Sequence, residues 1–597
     1  MTAAAPKSKD FRQIAQGFGV CTIAVFFLYF MTGMNGVYMR ELHASVLMAV
    51  FTVCCVYYVA CAFIKGSKRF LSLLSFIPAF GIYMAVFLLG FKAAERRTLA
   101  CLSLMESVMA FAGLGTVAVC LLVLAIGKKF ESKDLVTAVI CAGFVMRTVM
   151  VLFTPLNFNQ HDVADFTEQG NGFHDGYILY IYYNLALPDG DVRDLGMFYH
   201  PPLHYLISAF FFKIHNILPL RFAGDINGLK FLPMLWISYL VLFAKKILEW
   251  FDIKGKALAV SLALVSFCPQ MIYFAIQVNN DALAVMLFFA SVYLALKWYS
   301  KPELTTILFL AISIGCSMMT KLSMGFVAFP VALIFLAKLI KTYNEKDARG
   351  RKSKNKAIEM IKQFLVFAIV VFPLGLWFSL RNLIQYGTPI TYVFEISSDA
   401  GQDVWMYPLW QRLFVPSKEI LASPFLFEGG EVNDFNIPLA LIKTGLFDER
   451  KPRDNIYLVR VGQIMLVLAF LLVLAVLVCA VIGAVRRLKA DQKNIFAKPE
   501  YLALWVLAIV LIGSEVVFCF KHPVVCTEAF RYVAPVLIPA AVWGGSVVKM
   551  SEGDRSDKVV KVCSNALTVL VCMFIVAVVL FYGPFLQYSK PWEHFIH

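Results

Sequence analysis

The sequence predicts an all-α, polytopic membrane protein with about fifteen transmembrane helices. Of its 597 residues 60% are hydrophobic and 16% are charged, whereas a soluble domain carries about 25% charged residues. Apolar runs of roughly 20 residues, enough to cross a bilayer, recur along the chain. Basic residues gather in short clusters between these runs, as they do in cytoplasmic loops of membrane proteins. We therefore interpret the net charge of +15 as a topology signal and exclude a nucleic-acid partner.

The hydropathy pattern gives approximate positions for the spans. They are expected at residues 17–34, 44–64, 70–91, 99–127, 135–155, 229–248, 257–276, 279–298, 304–319, 321–341, 361–381, 459–485, 501–520, 530–549 and 563–583. The first run lacks a small-residue cleavage site, so we expect a retained helix. The basic N-terminus, with Lys7, Lys9 and Arg12, is expected in the cytoplasm. The segment 203–218 is short, and we expect it to lie on the outer membrane surface.

This topology predicts two long external loops carrying juxtamembrane helices, at residues 157–228 and 384–458. Long loops in a tight chain are usually functional. We divide the chain into an accessory module of four helices, residues 1–130, and a core, residues 131–597. The first loop would be catalytic and the second would lie on the acceptor side, where Trp405, Tyr407 and Trp410 are available for stacking or for packing. The 14 cysteines show no zinc or disulfide spacing.

The first external loop is the richest in polar chemistry. It contains Gln-His-Asp-Val at 160–163, His-Asp-Gly-Tyr at 174–177 and Tyr-His-Pro-Pro-Leu-His at 199–204. Three carboxylates and four histidines thus fall beside the end of a membrane helix. They are Asp162, Asp165, Asp175, His161, His174, His200 and His204. The histidines have no helical metal-ligand spacing, so the sequence indicates no metal site.

These motifs resemble the first external loop of GT-C glycosyltransferases. Within that superfamily they are similar to the branch of dolichyl-phosphate-mannose protein mannosyltransferases and bacterial lipid A aminoarabinose transferases. The resemblance covers about residues 133–590 and is strongest at 157–204. It implies a GT-C-like fold in a bacterial plasma membrane and no required cofactor, with a divalent metal possible but not indicated. The donor would be a polyprenyl-phosphate sugar, and the acceptor a glycan, a lipid or a protein.

The resemblance also implies the catalytic base. In the family an Asp just after a membrane helix fills this role, and Asp162 matches that position best, with Asp175 and Asp165 as alternatives. The chemistry agrees, since transfer to a hydroxyl requires a carboxylate to accept its proton. The hydroxyl would attack opposite the phosphate and invert the anomeric carbon. The structural alternative is that an Asp here caps a helix or shapes a turn, and for Asp175, next to Gly176, the two readings are even.

A phosphate leaving group needs cations, and three lie at the predicted outer face. Lys321 follows a span, Arg381 closes another, and Arg531 stands in Phe-Arg-Tyr at 530–532. Arginine binds phosphate through paired hydrogen bonds, although snorkelling to headgroups is the alternative. The residues expected to position substrate are His161, Tyr199, His200, His204 and Asp281. Asp281 equally suits a helix cap.

Two intramembrane charges, Arg147 and Glu515, have no assigned role, and they are expected to pair with each other or with the site. Two other functions remain open. A flippase for lipid-linked saccharides would need polar sites at the midplane and broken helices. A surface-glycan polymerase or ligase would use outer-face arginines, but the Asp-bearing first loop argues against it. The sequence thus favours an inverting hexosyl- or pentosyltransferase.

Overall fold

In the part of the chain that the computed structural model describes, the regular elements are all helices. It describes residues 9–35, 99–154, 156, 163, 172–218, 226–345, 354–394, 401–427, 432–449, 455–490, 498–553 and 557–585. The helices are α1 Lys9–Asn35, α2 Leu99–Ile126, α3 Ser132–Phe153, α4 His174–Asn184, α5 Leu203–Ile217, α6 Phe231–Trp250, α7 Gly255–Ser266, α8 Pro269–Phe274, α9 Asp281–Ser300, α10 Leu304–Met318, α11 Ala328–Asn344, α12 Lys354–Tyr386, α13 Leu409–Phe414, α14 Lys418–Ala422, α15 Ile437–Phe447, α16 Ile456–Ala490, α17 Pro499–Lys521, α18 Leu537–Gly553 and α19 Lys558–Tyr582.

Ten helical stretches among the described residues are long and apolar enough to cross a membrane. They are Met109–Ile126, Ser132–Phe153, Gly228–Trp250, Asp281–Ser300, Leu322–Asn344, Lys354–Tyr386, Ile456–Ala490, Pro499–Lys521, Ala534–Gly553 and Lys558–Tyr582. The predicted spans at 17–34, 257–276 and 304–319 correspond to shorter apolar helices. Those at 44–64 and 70–91 lie outside the described residues. The prediction of an all-α, multi-pass membrane protein is therefore confirmed.

The connections between these helices gather at two opposite ends of the molecule. At one end Lys549 pairs with Asp252 and Arg486 pairs with Asp557, joining loops that are rich in lysine and arginine. At the other end the two long loops meet, and we call it the loop end. There the Thr388 hydroxyl of the second loop donates to the Asp191 carboxylate of the first at 3.4 Å.

Helix α5 has 15 residues and is absent from the candidate spans. At about 1.5 Å per residue it is too short to cross a hydrocarbon core of about 30 Å. It packs against α4 and buries His204, Tyr205 and His215. This placement agrees with a helix lying along the loop end, and it fixes the first long loop against the ends of the spans.

Helix α1, from the predicted accessory module, is docked onto the core. Its Thr22 hydroxyl lies 2.5 Å from the Tyr239 hydroxyl in α6, and its buried Tyr29 hydroxyl lies 2.7 Å from His215 Nδ1 in α5. Helix α2 packs along α3. The described helices of residues 1–130 therefore contact both the helical core and the first long loop.

The second long loop is held by buried ion pairs. Lys443 Nζ lies 2.9 Å from Asp434 Oδ1, and both side chains are fully buried. Arg412 Nη2 lies 2.8 Å from Glu528 Oε1, and it also donates to the Cys519 carbonyl at 3.0 Å. The second contact ties the loop to the last turn of α17. Helix α15 carries Lys443, and nearly all of its residues are buried.

Candidate active site at the loop end

A buried ion pair lies where α9 begins. The chain leaves the short helix α8, runs without helical structure over residues 275–280 and enters α9 at Asp281. The Asp281 carboxylate pairs with Lys321, and both side chains are at least 90% buried. The side-chain amide of Asn280 donates to the Thr320 carbonyl at 3.1 Å, which holds the start of α9 against the segment that carries Lys321. The Asp281 side chain thus engages a cation, and the residue before it makes no side-chain cap.

The Phe-Arg-Tyr motif forms a single 3-10 turn beside this pair. Lys321 Nζ lies 4.5 Å from the centre of the Tyr532 ring, a cation–π contact. Arg531 is buried, donates to the Tyr532 hydroxyl at 3.1 Å and lies 3.7 Å from Glu449. Arg531 and Lys321 therefore share one aromatic ring, and each has a carboxylate nearby.

Histidine and tyrosine rings from the first loop stack next to this cluster. His174 and His200 stack with ring centres 5.4 Å apart, and His174 Nδ1 lies 2.6 Å from the Tyr205 hydroxyl. His200 is within electrostatic reach of Lys321, Asp281 and Arg531. Burial lowers the pKa of His200 well below its ordinary value, and the adjacent His174, Lys321 and Arg531 lower it further. A neutral imidazole is therefore the form present at neutral pH.

The other two first-loop positioning candidates flank this stack. Tyr199 packs on His200 with ring centres 4.1 Å apart, and its ring meets the Tyr392 ring edge-on at 5.7 Å. His204 is buried in the first turn of α5 and contacts the Val278 backbone. Burial, reinforced by His174, lowers the pKa of His204 to about 3. The structure thus brings Tyr199, His200 and His204 to the segment that carries Asp281.

Arg381 occupies a separate position at the rim. Its Nη2 donates to the Pro188 carbonyl at 3.1 Å and lies 3.6 Å from Asp189, while its guanidinium faces the Tyr386 ring. These contacts tie the C-terminal end of α12 to the first loop. Of the three predicted phosphate ligands, the structure groups Lys321 with Arg531 and places Arg381 apart from them.

The predicted base and its alternatives divide between described and undescribed residues. Asp175 is fully buried in the first turn of α4, where the helix dipole stabilises a carboxylate. That environment suits a structural role. Asp162, Asp165 and His161 lie outside the described residues, although Leu156 and Val163 are described and flank this part of the loop.

The structure adds three polar residues that the sequence reading did not single out. Gln277 and Asp448 are buried and hydrogen-bonded to each other, and Glu449 lies beside Arg531. Gln277 lies four residues before Asp281, so its nearness to a predicted site residue could have marked it in the sequence. Asp448 and Glu449 follow an apolar helix that no pattern marked as part of the site, because their partners are more than 80 residues away in sequence.

The intramembrane charges do not pair with each other. Arg147 donates to the Ser266 carbonyl at 3.2 Å within the helical core. Glu515 lies within electrostatic reach of Lys321 and Arg531. Glu515 thus joins the surroundings of the site, whereas Arg147 joins α3 to α7.

The described residues contain no group of three His, Cys, Asp or Glu side chains arranged to hold a metal ion. The cluster instead combines two buried cations, three carboxylates, neutral imidazoles and tyrosines. Such a set holds an anion through its cations and hydroxyl groups through its remaining polar atoms. The fold and the site together define a multi-pass helical membrane protein with a buried polar site at one end of its spans.

Part of the chain is similar to a known protein family. A family model described as dolichyl-phosphate-mannose-protein mannosyltransferase matches residues 199–377, which is less than half of the chain. The match begins at the Tyr-His-Pro-Pro motif and includes Asp281 and Lys321. It confirms, over those residues, the resemblance recognised from the first-loop motifs.

Among solved structures, the chain is similar to an oligosaccharyltransferase from Archaeoglobus fulgidus, determined in the apo form. The identity is 13% and the TM-score is 0.39. The similarity covers 76% of this chain and 56% of the archaeal one. No curated protein matches the chain.

Proposed function

We propose that this protein is a membrane glycosyltransferase that uses a polyprenyl-phosphate sugar. The observation that carries the proposal is the burial of Lys321 and Arg531 around one tyrosine ring at the loop end. Burying two cations is costly unless anions compensate them. A phosphate that arrives with its lipid can join Asp281 and Glu449 in that role. The matched family model supports a glycosyl transfer and a lipid-linked donor.

In this mechanism the carrier phosphate binds Lys321 and Arg531, which stabilise the charge that develops as the glycosidic bond breaks. Asp162 accepts the proton of the acceptor hydroxyl, and the hydroxyl attacks from the face opposite the phosphate. Asp175 is the second candidate for the base, followed by Asp165. The phosphate leaves as an anion, so no general acid is required. The product is an inverted glycoside, hexosyl or pentosyl, on a glycan, lipid or protein acceptor.

We further propose that the loop end faces outward from a bacterial plasma membrane and that the reaction needs no cofactor. Arg381 would reach the phosphate or headgroups from the rim. The second loop would contact the acceptor, with Trp405 and Trp410 exposed for stacking. Addition of EDTA to the purified enzyme tests the cofactor proposal, since transfer should be unchanged.

The test of the function is sugar transfer by purified protein with radiolabelled undecaprenyl-phosphate sugars and a crude envelope extract as acceptor. Wild type is compared with Asp162→Asn, Asp175→Asn and Asp165→Asn. Loss of the base should lower the rate about 10²–10⁴-fold in one variant, and we expect that variant to be Asp162→Asn. Transfer that survives in all three would contradict the carboxylate mechanism. No transfer, together with movement of lipid-linked sugar across vesicle membranes, would establish a flippase.

A further inference from the structure

The segment 275–280 between α8 and α9 is buried and non-helical, although it lies among apolar helices. Every residue from Ala275 to Asn280 is buried. Irregular backbone at this depth is tolerated where protein surrounds it or where it lines a cavity. The segment also carries three amide side chains, Gln277, Asn279 and Asn280. Such a concentration of polar groups in an apolar setting requires hydrogen-bonding partners.

In two of these side-chain amides, one polar atom has a hydrogen-bond partner and the other has none among the described residues. Gln277 Nε2 donates to the Asp448 carboxylate, whereas Gln277 Oε1 has no hydrogen-bond partner among the described residues. Asn279 Oδ1 accepts from the Asp281 amide at 3.1 Å, while Asn279 Nδ2 has no partner in that part of the chain. The orientations are fixed by chemistry, because a carboxylate only accepts and a backbone N–H only donates.

The backbone at Asp448 is strained. Its φ of 57° and ψ of −148° fall in a region that is essentially restricted to glycine. A glycine would fit the turn after α15 without strain. The strained turn therefore serves to place a carboxylate, which accepts a hydrogen bond from Gln277.

We propose that Gln277, Asn279 and Asp448 form a subsite for the hydroxyl groups of the donor sugar. A hydroxyl both donates and accepts, so it satisfies the unused acceptor of Gln277 and the unused donor of Asn279. This inference rests on the proposed function.

The neighbours of the subsite assign it to the donor sugar. Asn279 lies two residues before Asp281, the partner of Lys321, and Glu449, which follows Asp448, lies 3.7 Å from Arg531. The sugar is bonded directly to the phosphate, so the two must bind side by side. A phosphate needs donors and would be repelled by the Asp448 carboxylate and Gln277 Oε1. The phosphate therefore belongs with Lys321 and Arg531, and the sugar with the amides.

The test compares two ligands in detergent micelles, undecaprenyl phosphate and undecaprenyl-phosphate mannose, glucose or aminoarabinose. Asp448→Gly relieves the strained turn and removes the carboxylate, so its melting temperature should equal or exceed that of wild type. Asp448→Gly and Gln277→Ala should bind undecaprenyl phosphate as wild type does. The extra affinity of wild type for its preferred sugar-bearing lipid should fall about tenfold, the size expected for one hydrogen bond to a charged group. Glu419→Gln, an exposed carboxylate in the same loop, is the matched control.

The outcomes separate the subsite from the function. Asp448→Gly that keeps the full preference for the sugar-bearing lipid overturns the subsite and leaves the proposed function standing. A lower melting temperature of Asp448→Gly, with an unchanged preference in Gln277→Ala, shows a structural role and also overturns it. Wild type that binds neither undecaprenyl phosphate nor its glycosides removes the proposed function, and the subsite with it.

Discussion

The two long loops differ in how they hold their charged groups. The second loop buries Lys443 with Asp434 and Arg412 with Glu528, and Arg412 also contacts the last turn of α17. The first loop leaves its Arg193–Asp191 pair exposed and uses stacked rings, such as His174 on His200, in its interior. Buried ion pairs thus hold the second loop, whereas stacked rings hold the interior of the first.

From this difference we expect the two loops to contribute differently to stability. Removing one partner of a buried pair leaves an uncompensated charge, so such pairs tolerate little change. Stacked neutral rings adjust to a ligand at lower cost. We expect the second loop to act as a scaffold that holds Arg531 and Asp448, while the first loop contacts the reacting groups.

The largest expected effect on stability is in the second loop. Asp434→Asn should lower the free energy of unfolding by about 3–5 kcal/mol, because it strands the buried Lys443. Arg193→Met in the first loop should cost no more than about 1 kcal/mol, since its pair is exposed. Thermal unfolding in detergent measures both. Equal losses would end the distinction between the loops, and recovery in the double variant Asp434→Leu/Lys443→Met would identify the stranded charge as the cause.

The next effect compares the two arginines that the loops hold. Arg531→Met should raise the KM for the donor on the order of 10–100-fold, the equivalent of losing one charge-assisted hydrogen bond of about 1.5–3 kcal/mol. Arg381→Met should raise it less, because Arg381 lies at the rim and is tied to Asp189. Steady-state kinetics with the same labelled donor give the values. A larger effect from Arg381 would move the phosphate toward the first loop.

The smallest effect is a pH dependence confined to the first loop. Burial lowers the pKa of His204 to about 3, below its ordinary value of 6.5, so the folded protein binds fewer protons than the unfolded chain between these values. Its stabilisation is therefore complete above pH 6.5 and is lost as the pH falls. At pH 5.5 the loss should be about 1.4 kcal/mol. Melting temperatures of wild type and His204→Gln between pH 7.5 and 5.5 measure it, and an identical slope in both would assign the loss to other groups.

The spans were predictable because a bilayer demands long apolar helices, and hydropathy reports them directly. The short helix α5 was also predictable, since it is too brief to cross. Periodicity and hydropathy do not predict that α8 ends at Phe274 or that α15 ends at Phe447, because packing between distant segments fixes those ends.

The site was predictable where a motif or an unexpected charge marked it. Lys321 and Asp281 stood out as polar residues at the ends of spans, and the structure pairs them. Asp448 did not, because its importance arises from a backbone angle and from Gln277, 171 residues away. Arg381 and Arg531 looked equivalent in sequence, and only tertiary structure separates rim from interior.

The Lys321–Asp281 pair has a consequence for how a ligand would be captured. The pair is neutral as a whole, so it projects little field into the surrounding water, and attraction over a distance contributes little there. A water-soluble anion would gain no guidance from it. A lipid-linked anion needs none, because it diffuses in the plane of the bilayer and meets the protein by a two-dimensional search. Ionic strength should therefore have little influence on the rate of that encounter.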